Sequence, residues 1–243
     1  MKAIILSAGQ GKRLLPLTSE TPKAALQIGE FSLLEWQLTQ ISKTAVDEIV
    51  VVTGFGASHI DQIVQNYDLI KITTLFNPFY QNCDNLGTCW IARSEMSKPF
   101  LIINGDTLFE AEVLNKLLNQ DSRLPITLTC DKKESYDSDD MKIIEKNGTI
   151  SQVGKTLPPN EVTGESIGLV KFDYVGAKLF CDQIDRMVRQ NDGLGKWYLS
   201  AIDIIAKNGN VGSCFVDGLR WCEVDDANDK AIAEKTVATW SLK

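Results

Sequence analysis

Residues 3–26, AIILSAGQGKRLLPLTSETPKAAL, constrain the fold and the chemistry more than any other stretch. An apolar run from Ala3 to Leu6 breaks into Ser7-Ala8-Gly9-Gln10-Gly11. The cations Lys12 and Arg13 follow, then Pro16, Thr18 and Pro22-Lys23. Such a run predicts a buried strand that ends in a glycine loop. Without a Cβ, Gly9 and Gly11 let the backbone approach a phosphate or a base and turn N–H groups toward it. Arg13 adds a planar fork of donors and Lys23 a point charge. The stretch is suited to holding a polyphosphate at the end of a strand. Taken alone, the glycines fit an ordinary turn equally well. Leu14 stands where G-x-G-x-x-G needs its third glycine, which disfavours a dinucleotide-dependent oxidoreductase, and G-x-x-x-x-G-K-[ST] is absent.

After this loop the pattern alternates. Leu34, Leu38 and Ile41 lie at helical spacing within 31–43, EIVVVT at 48–53 reads as a buried strand, 58–66 as a helix and 70–76 as a strand. Strand–helix alternation implies a Rossmann-like, mostly parallel sheet flanked by helices, with ligands at the carboxyl ends of the strands. KPFLIIN at 98–104 is a further strand and ends in Gly105-Asp106. A carboxylate there suits either Mg²⁺ or the N-cap of the helix expected over 110–118. Asn82 and Asn85 precede another helix, and their amides fit a base edge, a ribose, a turn or a cap. Residues 124–173 alternate like strands around an Asn147-Gly148 hairpin turn, with a polar loop, DKKESYDSDD, between two of them. This block reads as a smaller β-rich lobe in which Lys142, Lys155 and Glu165 stand out, though most strand charges are a solvated face. Helices over 175–188 and 197–206, a strand over 210–216, and Trp221-Cys222-Glu223-Val224-Asp225-Asp226 before a last helix complete the chain. The expected organisation is one domain, with a nucleotide-binding half over 1–122 and an acceptor- and metal-binding half over 123–243.

The net charge of -7 argues against a nucleic-acid partner held by phosphate neutralisation, so any basic site is local. The amino-terminal residues form neither a signal peptide nor a membrane span, so no membrane partner is expected. Six cysteines without a C-x-x-C pair fit reduced thiols and a cytoplasmic location, and with His59 as the single histidine a zinc site is not expected.

The full string Gly9-x-Gly11-x-Arg13-Leu14-x-Pro16-Leu17-Thr18, with Pro22-Lys23, resembles the signature of nucleotidyltransferases that join a nucleoside triphosphate to a phosphorylated small molecule. Lys12 departs from it, since many members carry Thr or Ser there. GESIGLVKF at 164–172, WCEVDD at 221–226 and the compact length are similar to the phosphocholine cytidylyltransferase type, a branch tied to cell-surface polysaccharide synthesis. The resemblance implies a GT-A-like fold with a small β-rich acceptor lobe. It implies nucleotide contacts from Leu6, Ala8, Gly9, Gln10, Gly11, Lys12, Asn82, Asn85 and Gly105, and catalysis by Arg13 and Lys23. It places Mg²⁺ on Asp106 and Asp225, with Asp226 as a helix cap, and acceptor contacts on Lys142, Lys155, Glu165, Trp197 and Glu223. The expected partners are CTP and a phosphorylated small molecule, with phosphocholine first and 2-aminoethylphosphonate or another amino-alcohol or amino-acid phosphate beside it. Trp197, Tyr198 and Trp221 could face a quaternary ammonium or simply belong to the core. A homodimer is a compatible assembly. The alternatives are a sugar-1-phosphate nucleotidylyltransferase using dTTP, UTP or GTP, and a catalytically silent nucleotide-binding regulator.

Overall fold

The computed structural model describes residues 1–240. In chain order the elements are β1 (Lys2–Ser7), β2 (Gln27–Ile28), β3 (Phe31–Ser32), α1 (Leu33–Ser42), β4 (Glu48–Thr53), α2 (Ala57–Gln65) and β5 (Lys71–Phe76). There follow α3 (Asn85–Ile91), β6 (Phe100–Asn104), β7 (Thr107–Phe109), α4 (Ala111–Asn119), β8 (Ile126–Asp131), β9 (Lys142–Lys146), β10 (Thr149–Gly154) and β11 (Gly164–Phe172). The chain closes with α5 (Tyr174–Val188), α6 (Tyr198–Ala206), β12 (Val211–Phe215), β13 (Trp221–Glu223) and α7 (Ala227–Val237). The fold is α/β, with parallel strand pairs joined by helices, as the alternating pattern predicts. No helix among the described residues is long and apolar enough to cross a membrane.

The chain forms two units that interleave in sequence. The first takes residues 1–81, 103–115 and 219–243; the second takes 82–102 and 116–218. In the first unit β1 pairs in parallel with β4, and β4 with β5, in continuous register from Lys2↔Glu48 to Ser7↔Thr53 and from Glu48↔Lys71 to Thr53↔Phe76. Ile4, Ile5, Ile49, Val51 and Val52 are fully buried, the continuous apolar content expected of strands covered on both faces. A second core in this unit gathers Leu14, Leu26, Ile28, Leu33, Trp36, Leu108, Val224 and Trp240. The Trp36 indole donates to the Ile28 carbonyl at 2.8 Å, so this side chain enters the core with its polar atom satisfied. Each such buried side chain contributes about 1.5–3 kcal/mol. This core fixes the chain just after the glycine loop (Leu14, Leu26) against Leu108, just after Asp106, and Val224, just before Asp225. Ser32 and Glu35 form a reciprocal capping box at the start of α1.

In the second unit β8 pairs in parallel with β12 and antiparallel with β11, while β10 pairs antiparallel with β9 across the expected Asn147-Gly148 turn. The rings of Phe100 and Phe172 stack with centroids 4.4 Å apart, and Phe180 packs 4.9 Å from Phe172. The polar loop of 132–141 is tied down rather than open. Lys133 pairs with Asp140 at 3.1 Å and the Asp137 N–H donates to Asp140 at 2.7 Å.

Candidate active site

In the first unit the glycine loop leaves β1 and folds back through its own side chains. The Thr18 hydroxyl donates to the Gly11 carbonyl and the Gln10 amide to the Thr18 carbonyl, each at 2.9 Å. A tight 3-10 turn at Lys12–Leu14 follows. Gly11 has φ +79°, and a Cβ placed on it would stand 2.8 Å from the Cβ of Lys23. Glycine is required there twice over, by the left-handed backbone and by contact with the lysine stem. Gly9 differs. It is exposed, and a Cβ on it would meet nothing within 4 Å. Packing does not call for glycine at Gly9; open space above the backbone is what a ligand would use. Leu6 and Ala8 line the strand end, and Ala8 accepts from the Phe55 N–H at 3.0 Å. Lys12 and Arg13 are exposed.

Two three-residue strands bring distant carboxylates together. β7 and β13 pair antiparallel, Thr107 opposite Glu223, Leu108 opposite Cys222 and Phe109 opposite Trp221. The Val224 N–H then donates to the Asp106 carbonyl at 3.1 Å, extending the ladder by one bond. Asp106 therefore lies beside Asp225 although 119 residues (225 minus 106) separate them. Gln37, buried on α1, donates to the carbonyls of Asn104 and Thr107, each at 2.8 Å, and so fixes the turn that carries Asp106. A Cβ on Gly105 would come within 2.4 Å of the Leu6 carbonyl, so this turn sits hard against the end of β1.

The Lys23 ammonium bridges the pair. It lies 3.0 Å from Asp106 Oδ2 and 2.8 Å from Asp225 Oδ1, and Arg13 reaches the same Asp225 oxygen at 2.9 Å. Burial pulls the Lys23 ammonium down, but the two carboxylates more than offset this and hold it above its ordinary range. Burial likewise pushes Asp225 up, and the Lys23 and Arg13 charges outweigh it, leaving the carboxyl below its usual value. Asp106 Oδ1 is buried and no hydrogen-bond donor among the described residues reaches it. An orphaned, hard oxygen beside a second carboxylate suits a hard divalent cation, which takes one or two protein carboxylates and completes its shell with phosphate and water. No group of three or more His, Cys, Asp or Glu suited to a metal occurs among the described residues, so no all-protein cage competes with this reading. Asp226 caps α7, accepting from the Asn228 and Asp229 N–H groups. Glu223 is half-buried on β13.

The second unit holds the remaining residues. Asp84, not an asparagine, caps α3. Asn85 instead accepts the Tyr198 N–H at 2.7 Å and so orders the start of α6, while Asn82 is exposed. Lys142 is buried and its ammonium donates to the carbonyls of Asp137, Asp140 (3.3 Å) and Lys155 (3.0 Å). Glu165 is buried against Lys133 at 2.7 Å. Burial pushes its carboxyl up to about 7 despite that lysine. Lys155 lies over the Trp197 ring, Nζ 4.3 Å from the centroid, and pairs with Asp139 at 3.3 Å. Tyr198 is fully buried, whereas Trp197 is 39% exposed, which separates a core aromatic from one open to a ligand.

Sequence reasoning missed Gln37, which positions the aspartate turn, and did not foresee that Gln10 and Thr18, both singled out in the chain, hold the loop itself. An amide at a core-facing helical position, such as Gln37 between Leu34 and Leu38, is the one signal that marks such a residue in advance.

Comparison with known proteins agrees with this geometry. The family model described as Nucleotidyl transferase matches residues 2–150. The chain is 26% identical over 249 residues to CTP:phosphoglutamine cytidylyltransferase of Campylobacter jejuni, covering 94% of this chain and 97% of that one. It is 30% identical over 117 residues to choline-phosphate cytidylyltransferase of Streptococcus pneumoniae, covering 48% of this chain and 50% of that one. Among solved structures, CTP:phosphocholine cytidylyltransferase from Streptococcus pneumoniae superposes with a TM-score of 0.78 at 20% identity, over 96% of this chain and 97% of that one, a likeness of fold. The matched span contains the glycine loop, Lys23 and Asp106, and this chain belongs to the nucleotidyl transferase family and is an enzyme of that type.

Proposed function

We propose that the enzyme transfers CMP from CTP to a small phosphorylated acceptor and releases pyrophosphate. The observation that carries this reading is the half-buried pair Asp106 and Asp225, bridged by Lys23 and flanked by Arg13. Two cations and two carboxylates balance one another in the nucleotide-free protein, so the lysine and arginine are available to phosphates once something else neutralises the aspartates. Asp106 and Asp225 would hold Mg²⁺, which when bound supplies positive charge against the phosphates that must meet. In the reaction an acceptor phosphate oxygen bonds to the α-phosphorus as the bond to the β-phosphate oxygen breaks, and pyrophosphate departs with that oxygen. Lys23 neutralises charge where the two anions approach, and Arg13 draws the leaving phosphates. Gly9 and Gly11 let backbone N–H groups face the nucleotide. No general base is called for, because a phosphate monoester is already ionised near neutral pH. The barrier is mainly electrostatic. Cytidine as the base is supported by the names of both relatives described above. The acceptor class is an amino-alcohol or amino-acid phosphate.

The test is pyrophosphate release with Mg²⁺, crossing CTP, UTP, GTP, dTTP and ATP with phospho-acceptors that include hexose 1-phosphates. Release confined to CTP with a small amino-phosphate is the expected result. Release with a hexose 1-phosphate and another nucleotide would replace this reading.

A further inference from the structure

In the first unit β5 has β4 as its single strand neighbour among the described residues. The pairing is parallel and runs without a bulge from Lys71 to Phe76. Just past the strand, the Asn77 N–H donates to the Thr53 carbonyl of β4 at 2.8 Å. Backbone groups alternate in direction along a strand, so the odd-numbered residues turn theirs to β4. Ile72, Thr74 and Phe76 turn their N–H and C=O groups the other way, as a row open to a further strand. Lys71, Thr73, Thr74 and Phe76 are exposed.

Native sheets guard such an edge with a proline, a bulge or an unpaired charge. β5 has none of these. Its one charge, Lys71, is neutralised by Glu48 of β4 at 2.8 Å, and Pro78 comes only after the strand has ended. The run Ile72-Thr73-Thr74-Leu75-Phe76 is of the β-branched and apolar kind that pairs well. Exposed apolar side chains continue beyond both ends. Leu69 is 70% exposed and Phe79 54%, the two highest values among the large apolar residues of this unit.

The pattern is symmetric about Thr74. Leu69 stands five residues before it and Phe79 five after (74 minus 69, 79 minus 74), while Ile72 stands two before and Phe76 two after. A second copy of β5 running antiparallel, with a two-fold axis through Thr74, sets Ile72 opposite Phe76 of the second copy and Thr74 opposite its own counterpart. Each of these residues has its backbone groups turned outward, so each facing pair exchanges hydrogen bonds. The side chains form an aromatic–β-branched contact on either side of a threonine–threonine contact. Like charges do not meet, since Lys71 falls opposite Asn77 and Asp68 opposite Tyr80. A register centred on Thr73 instead sets Lys71 against Leu75 and Ile72 against Thr74, and the match is lost.

We propose that β5 is a dimerisation edge, on which a second copy of this chain pairs its own β5, antiparallel about Thr74. The occupant is a second copy because the edge is complementary to itself, as a two-fold interface requires. The inference concerns assembly and stands apart from the choice of nucleotide and acceptor.

Sedimentation velocity of the intact enzyme over a concentration series is the first test. Association to twice the monomer mass is expected, with a Kd on the order of 10 μM, as suits a contact at the small end of specific interfaces. Thr74→Lys sets two ammonium groups across the axis and weakens association by about tenfold or more, while leaving the pairing with β4 intact because Thr74 faces away from it. A disulfide trap reads the register independently of affinity. Thr74→Cys puts two thiols across a hydrogen-bonded pair with Cα atoms about 5.5 Å apart, within disulfide range, and mild oxidation yields a covalent dimer. Thr73→Cys, whose two copies stand more than about 7 Å apart in this register, does not. The parent with its six cysteines is the baseline for both. A monomer at all concentrations up to about 200 μM overturns the proposal. So does association that Thr74→Lys leaves unchanged, or trapping by Thr73→Cys in place of Thr74→Cys.

Discussion

The charge clusters of the two units use the same residue types in opposite ways. In the first, Lys23 and Arg13 share the oxygens of Asp106 and Asp225, and one aspartate oxygen is buried without a donor. The Lys23 ammonium is held there by carboxylates, which a ligand phosphate can replace. In the second, Lys142 is held by carbonyls, Asn85 caps a helix and Lys133 closes a loop on Glu165. Those polar groups are committed to structure, whereas Lys155 and Lys132 rest on the rings of Trp197 and Phe215. An ammonium bonded to backbone carbonyls, as in Lys142, is mostly architecture.

The largest expected effects lie in the first cluster. Removing one charged contact to a developing anion costs about 2.7–4 kcal/mol of barrier, so Lys23→Met and Asp106→Asn each lower turnover by on the order of 100-fold or more. The lysine variant sharpens the contrast further. Because Lys23 occupies both carboxylates in the nucleotide-free protein, Lys23→Met should bind Mn²⁺ more tightly than the parent without nucleotide, read by electron paramagnetic resonance. Weaker Mn²⁺ binding in that variant would show that the lysine does not compete for the site.

The two loop glycines come next. Gly11→Ala forces a side chain into a left-handed backbone and against Lys23, and should lower turnover by on the order of 10- to 100-fold through misplacement of that ammonium. Gly9→Ala leaves folding stability within about 0.5 kcal/mol of the parent, since nothing lies in the way, while weakening nucleotide binding. Thermal melts together with nucleotide titration separate the two.

In the second unit Asn85→Ala removes the acceptor for the Tyr198 N–H and should cost about 1 kcal/mol, a fall of about 2–4 °C in Tm. A further effect in this unit is pH-dependent. Glu165 has a folded-state value of about 7, above its unfolded value near 4.5, so its contribution is fully present below the unfolded value and is lost as pH rises through 7. Glu165→Gln stays neutral, so its Tm should gain on the parent between pH 5 and pH 8. A gap that closes over that range would mean the carboxylate is ionised and stabilising in the fold.

The strands and helices with long apolar periods were legible in the chain, and so were the glycine loop and Asp106 after its strand. What brings Asp106 to Asp225 was not. β7 and β13 are three residues each, too short for a period of two to register, and their pairing spans nearly half of the chain. The sequence placed Asn82 and Asn85 between a ligand role and a cap. Asn85 proves to serve the N-terminus of α6 more than a hundred residues away, a long-range contact that local turn chemistry does not encode. Lys142, Lys155 and Glu165 all looked like charges on strands, and only three-dimensional neighbours distinguish an ammonium tied to carbonyls from one resting on a ring.

The account turns on where the α-phosphate goes. CTP labelled with ³²P at that position, incubated with Mg²⁺, enzyme and an amino-acid phosphate, should deliver its label to a new product in which CMP is joined to the acceptor, with unlabelled pyrophosphate released in equal amount and both lost in Asp106→Asn. Label recovered as free CMP, or product formation undiminished by Asp106→Asn, would contradict it.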